Sequence, residues 1–338
     1  MSWIGGPRSA HFSPIALTLA AIMLAAFAYI AFGPDFEYDF AGTGALLAIP
    51  FCFGALVALG GGKLTPLSWL AAPMLLSLIV YLTVEAGWES LICVVMIMPI
   101  WAAAAMVGAL VVLVIGKVID RDDPPPPYDD DEQATRGVRL KSVGLAVLPF
   151  LLIQGESQTP PVWETHAVSS SIDVDAAAEE IWPLLIAIPD IRADEGLDTT
   201  THDWLGVPRP SDAQLVIRGG ELVRKAQWGP AIRFEEVVTK IEPGRRIAWR
   251  FAFPDDSVQN HTDRHISPDG AMLKIATGSY SLRPLTDDRT RITLTTTYRT
   301  RTRFDWYLGW WGEQMLGDIH ENVLAIVAQR SEQAAASR

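Results

Sequence analysis

Apolar residues form unbroken runs in the first part of the chain and periodic patterns in the rest. Four runs, Pro14 to Phe32, Thr43 to Leu59, Pro66 to Val84 and Leu91 to Ile115, are long enough to cross about 30 Å of hydrocarbon, which takes ~20 mostly apolar residues in a helix. They predict an α-helical transmembrane bundle of four helices over 1–119. The first run is too long and too far from the start for a signal peptide, and no small-residue cleavage site follows it. A fifth run, Val143 to Ile153, is short, but Arg139 and Lys141 precede it and can snorkel, extending it toward Gln158. It predicts a fifth transmembrane helix, or an interfacial one, over 138–158. Between these runs, 120–137 carries four consecutive prolines and the acidic cluster Asp129, Asp130, Asp131 and Glu132, the composition of a solvated, semi-rigid linker. The PPxY pattern that ends at Tyr128 also matches a WW-domain ligand.

From Thr165 the periodicity changes. His166 to Val174 reads as a strand, and Asp175 offers an N-cap for a helix from Ala176 to Ile188, with Pro183 set to kink it. Gln214 to Arg218 and Glu221 to Trp228 flank Gly219-Gly220, a hairpin signal. Further strands are expected at Ile232 to Ile241, Arg246 to Phe253, Met272 to Leu285 and Arg291 to Thr302. Ile247, Trp249, Phe251 and Phe253 put one face of the second of these in apolar surroundings. Leu308, Trp311, Met315, Ile319, Val323 and Ile326 then recur every three or four residues, predicting one long amphipathic helix from Phe304 to Arg330. A curved antiparallel sheet with one apolar face needs that helix as its cover. The pair leaves room between them for a ligand, and 331–338 is expected to be a disordered tail.

Charge sharpens the division. The 338 residues carry 27 Lys and Arg against 39 Asp and Glu, a net charge of -12; up to Thr159 the counts are 7 and 13, and beyond it 20 and 26. A wholly soluble chain and a pure multispanning transporter are both excluded by this split, and the acidic balance argues against a nucleic-acid partner. Arg8, Lys63, Lys117, Arg121, Arg136, Arg139 and Lys141 fall on one side of the spans, and Asp35, Glu37, Asp39, Glu85 and Glu89 on the other. The N-terminus is therefore expected inside the cytoplasmic membrane. Five spans place the C-terminal domain outside it, and four place it inside.

The stretch from Thr165 to Arg330 resembles the START-like or SRPBCC superfamily (polyketide cyclase/dehydrase and lipid transport). The resemblance rests on Ile172-Asp173-Val174-Asp175 with Glu180-Ile181-Trp182, on Leu205-Gly206-Val207-Pro208-Arg209-Pro210, and on Ile241-Glu242-Pro243-Gly244-Arg245-Arg246-Ile247. Asp263-Arg264-His265-Ile266, Gly278-Ser279-Tyr280-Ser281-Leu282 and Arg303-Phe304-Asp305-Trp306-Tyr307 complete it. It implies an α+β helix-grip fold, in which a curved antiparallel sheet clasps a long C-terminal helix, over 165–330. It also implies a cavity for an apolar molecule, without naming the molecule.

Candidate chemistry is sparse. His261, Asp263 and His265 would share one face of a strand, but at about 3.3 Å per residue the two histidines stand ~13 Å apart, too far to share an ion. Neither a metal nor a cofactor is expected. Asp263 and His265 remain a candidate acid-base pair, against a reading of His265 as a polar residue at the cavity rim. Gly278-Ser279-Tyr280-Ser281 lacks the second glycine of a nucleophile elbow. Trp228, Trp249, Phe251, Tyr280, Tyr298, Trp311 and Met315 are the expected cavity lining. Arg299, Arg301 and Arg303, followed by Trp306, Tyr307, Trp310 and Trp311, would suit contact with anionic headgroups, or a solvated strand leading into core aromatics. Three functions remain open: a membrane-anchored binder of a hydrophobic small molecule or lipid, a cyclase or hydrolase using Asp263 and His265, and a ligand-responsive membrane sensor or assembly factor.

Overall fold

A computed structural model describes residues 13–31, 42–60, 68–85, 90–122, 131–261 and 266–337, and divides into two compact units, the first running to Pro160 except for Ser90–Cys93, which group with the second from Pro161 onward. The first is helical: α1 (Pro14–Ala31), a π-helical turn (Gly44–Ala48) leading into α2 (Ile49–Gly60), α3 (Ser68–Glu85), α4 (Leu91–Asp122) and α5 (Asp131–Ser157). Each expected apolar run is thus a helix. Among the described residues, however, only Leu91–Ile115, with 25 residues, and Leu140–Ser157, with 18, are long and apolar enough to cross a membrane. Pro14–Tyr29, Gly44–Gly60 and Leu70–Leu82 are apolar helices that fall short of that length, so the described helices do not bear out a bundle of four or five spans. Both ends of the stretch expected as a linker, 120–137, are helical, because α4 continues to Asp122 and α5 begins at Asp131; 123–130 lie outside the described residues.

Small residues let these helices approach closely. A Cβ added at Gly54 of α2 would stand 1.9 Å from the Ala105 carbonyl oxygen of α4, and one at Gly108 of α4 would stand 1.9 Å from that of Phe51. The start of the α2 segment is held differently. The Thr43 and Gly44 amides both donate to the Glu156 carboxylate of α5 at 3.0 Å, which satisfies helix-start donors with a charge that the helix dipole favours.

The second unit runs β1 (Glu164–Val174), α6 (Ala178–Ile186), β2 (Pro210–Arg218), β3 (Glu221–Trp228), β4 (Ile232–Glu242), β5 (Arg246–Ala252), α7 (Ser257–His261), β6 (Leu273–Thr286), β7 (Arg289–Thr300) and α8 (Asp305–Ala336). Its seven strands form one antiparallel sheet in the order β1-β7-β6-β5-β4-β3-β2. Gly219 and Gly220 both take positive φ, +61° and +87°, as the two-residue turn between β2 and β3 requires. Register shifts between Val238 and Lys240 and between Ile275 and Thr277 add a residue to one strand of a pair, which bends a sheet locally. With α8 against this sheet, the architecture is of the helix-grip kind.

Two local expectations fail. Helix α6 starts after Ala177 rather than Asp175, because Glu180 reaches back to accept from the Ala177 amide at 3.3 Å. Helix α8 extends through the expected tail to Ala336; Ser331 is buried and donates to the Val327 and Ala328 carbonyls, and the alanines that follow favour helix.

The sheet-helix interior holds a buried hydrophobic cluster. Val174, Ile181, Leu185, Ile247, Trp249, Tyr280, Leu282, Ile292, Leu324, Ile326 and Val327 belong to it, with Val238 and Phe251 packed against it.

Candidate functional site

Pairing registers bring a row of aromatic and charged residues up to the edge of that cluster. Arg224 of β3 stands opposite Glu236 of β4, Glu236 opposite Phe251 of β5, and Val238 opposite Trp249; Trp249 in turn faces Gly278 of β6, two residues from Tyr280. Since partners in a register share a face, Arg224, Glu236, Phe251, Trp249 and Tyr280 all project from the side that α8 covers. Trp228 and Phe234 extend the same rows. The rings form a continuous chain: Trp228 to Phe234 at 5.6 Å between centroids, Phe234 to Phe251 at 5.9 Å, Phe251 to Trp249 at 6.1 Å and Trp249 to Tyr280 at 5.3 Å.

The helix lies mainly on β1 and β7 rather than on β3, β4 and β5. Trp228, Phe234 and Phe251 are accordingly only half-buried, as are Leu308, Trp311, Met315 and Ile319 along the N-terminal half of α8. Further along α8, Leu324 to Ala328 are fully buried. Burial along the apolar stripe of α8 is thus unequal, fuller in its C-terminal half.

Within this aromatic surface sits a buried ion pair. Arg224 Nη1 donates to Glu236 Oε2 at 2.6 Å, and both side chains are less than a tenth exposed. The guanidinium lies over the Trp249 and Tyr280 rings, 6.0 and 5.8 Å from their centroids. Arg224 Nε and Trp249 Nε1 are buried without a protein partner. Burial pushes the Glu236 carboxyl above the usual carboxylate range despite its cationic neighbour, and raises the Tyr280 phenol likewise. A proton can therefore rest on Glu236 at higher pH than on a solvated carboxylate.

A turn at Thr200–Trp204 approaches Trp228. His202 lies 6.1 Å from Trp228 between ring centroids, with Nδ1 2.9 Å from the Val207 carbonyl oxygen and Nε2 buried without a partner. Burial holds its pKa below the ordinary histidine value. Asp318 of α8 pins the turn, accepting from the Thr201 amide and hydroxyl at 2.9 Å each. Arg209 secures it from the other side through Asp203 at 2.8 Å and the Leu197 carbonyl at 2.7 Å.

Of the expected lining, Trp228, Trp249, Phe251 and Tyr280 come together in this chain of rings. Tyr298 stands apart on β7: its hydroxyl donates to the Gly309 carbonyl at 3.0 Å and its ring stacks on His166. Trp311 packs edge-on against Trp310 and Tyr307, with Nε1 buried and unpartnered, and Met315 is half-buried one turn further along α8. The acid-base pair Asp263 and His265 lies outside the described residues. His261, expected in a strand with them, ends the short helix α7.

No protein-family model matches this chain, and comparison with curated proteins finds no relative. Solved structures are similar. The Zhui aromatase/cyclase from a Streptomyces species is 19% identical, with 51% of this chain and 96% of that one covered at a TM-score of 0.32. Norcoclaurine synthase from Thalictrum flavum is 14% identical over 52% and 89% of the two chains, also at 0.32. A START superfamily protein from Mycobacterium smegmatis is 17% identical over 50% and 99%, at 0.31.

Residue reasoning missed Arg224 and Glu236. Both sit in phase with apolar neighbours, Arg224 between Leu222 and Ala226 and Glu236 between Phe234 and Val238. A charge at an inward position of an alternating strand was the available signal.

Proposed function

We propose that this chain is a membrane-anchored protein whose C-terminal domain holds a hydrophobic small molecule or lipid between sheet and helix. The ligand's apolar body lies against Trp228, Phe234, Phe251 and Trp249, and a polar or acidic group on it meets Arg224. The observation that carries this is the half-buried row Trp228, Phe234 and Phe251, running from the margin of the core to the buried Arg224–Glu236 pair on strands away from the main seat of α8. Spans at Leu91–Ile115 and Leu140–Ser157 would keep the domain within reach of bilayer molecules, so a ligand could enter without crossing much water.

Purification of the full chain in mild detergent, followed by mass spectrometry of co-purified small molecules, tests the reading. A single apolar species bound to the native chain and lost from the Trp228→Ala/Phe251→Ala double variant is expected. If the native chain carries nothing apolar above its detergent and lipid background, the proposal fails.

A second reading is an enzyme of the cyclase or hydrolase kind. Its support is Glu236, a carboxyl with a raised pKa beside Tyr280 in an apolar interior, as general acid-base catalysis requires. Glu236→Gln separates the readings, since a binder keeps its ligand unchanged and an enzyme accumulates unconverted substrate.

A further inference from the structure

Arginine and tryptophan gather at the edge of the second unit where the chain emerges from α5. Trp163, just before β1, lies under two guanidinium groups, Arg299 at 5.4 Å and Arg301 at 5.9 Å from its ring centroid. Arg301 Nε also donates to the Pro161 carbonyl at 3.2 Å. Next along the chain come exposed Arg303 and the first two turns of α8, where Trp306 is 71% exposed and Trp310 49%. Those two indoles are four residues apart and so share one face of the helix. Val162, 71% exposed, adds an aliphatic group. A soluble surface has no use for two large exposed indoles beside three arginines, whereas the interface of a bilayer suits both: indole sits at headgroup level and guanidinium pairs with phosphate.

Chain length supplies the second argument. Only four residues, 158–161, separate the end of α5 from the carbonyl that Arg301 holds, a reach of at most about 14 Å. With Leu140–Ser157 in the bilayer, this edge cannot stand far from the headgroups.

We propose that Trp306, Trp310, Arg299, Arg301 and Arg303 form a docking surface for a bilayer containing anionic phospholipid. The proposal rests on α5 being a membrane span, as in the functional reading above, but not on any ligand in the domain. Docking orients the domain on the membrane through contacts that are separate from its tether.

The test is hydrogen exchange of the full chain in vesicles of phosphatidylcholine alone and of phosphatidylcholine with about one-third phosphatidylglycerol. Amides of 299–311 are expected to exchange about tenfold more slowly in the anionic vesicles, and high salt should abolish the difference. The Arg299→Gln/Arg301→Gln/Arg303→Gln and Trp306→Ser/Trp310→Ser variants should lose it too, with β4 and β5 amides unchanged as the control for folding. Equal exchange in the two vesicle types overturns the proposal, as does protection that survives high salt. The salt comparison needs no variant. Loss of docking with ligand retained would sink this inference alone, and the reverse would sink the ligand reading alone.

Discussion

Arg224 and Glu236 face each other directly across β3 and β4, joined by a 2.6 Å bond and shut away from water, with the guanidinium over the Trp249 and Tyr280 rings. Desolvating two charges costs several kcal/mol each, and a buried pair recovers that only when both members are present. Removing one partner should therefore be worse than removing both. Arg224→Met or Glu236→Leu alone is expected to lower stability by about 3–5 kcal/mol, whereas Arg224→Met/Glu236→Leu together should be close to neutral. Thermal unfolding of the detergent-solubilised chain would measure this. A double variant as damaged as either single one would mean that the pair itself stabilises the fold. Retention of the co-purified ligand by the stable double variant would remove Arg224 as its anchor.

His320 of α8 bonds Thr296 through Nε2 at 2.8 Å, has no partner at Nδ1, and is lowered by burial to about 4. An unfolded chain takes up this proton near pH 6.5 and the folded one only near 4, so the unfolded state binds more protons in between. Stability is expected to be whole above about pH 6.5 and to fall by about 3 kcal/mol as pH drops to 4. His320→Gln should flatten that slope. An unchanged profile would show that other groups set the acid limit.

The turn at Thr200–Trp204 is tied to α8 by Asp318 through two bonds to Thr201. Asp318→Ala should cost about 1–3 kcal/mol. It should speed amide exchange at 199–207 while leaving β6 and β7 protected. If the turn also guards the ligand beside Trp228, dissociation will quicken in step with exchange.

In the first unit, Gly54→Ala and Gly108→Ala would each drive a methyl group into a carbonyl oxygen 1.9 Å away, forcing α2 and α4 apart. Each is expected to lower the melting temperature in detergent markedly. Gly144→Ala and Gly155→Ala, with nothing within 4 Å, should be neutral or stabilising by up to about 1 kcal/mol. Equal effects at all four positions would mean that helix propensity, not close packing, dominates there.

Local pattern was enough to find nearly every element. Apolar runs located the helices of the first unit, alternation and glycine pairs located the strands, and the stripe from Leu308 to Ile326 located α8, because periods of 2 and 3.6 are properties of neighbouring residues. The same signals put Trp228, Trp249, Phe251 and Tyr280 on inward faces. They could not say that Tyr298 is sealed against Gly309, or that Arg224 meets Glu236 twelve residues on. Those facts depend on strand order and register, and on α8 lying over β1 and β7 rather than centrally. Such choices follow from how bulky side chains at distant positions pack together, a non-local sum that no window of sequence contains. What the chain alone determined is which residues turn inward; what only the tertiary structure decided is which of them the core consumes and which it leaves half-buried around a charge.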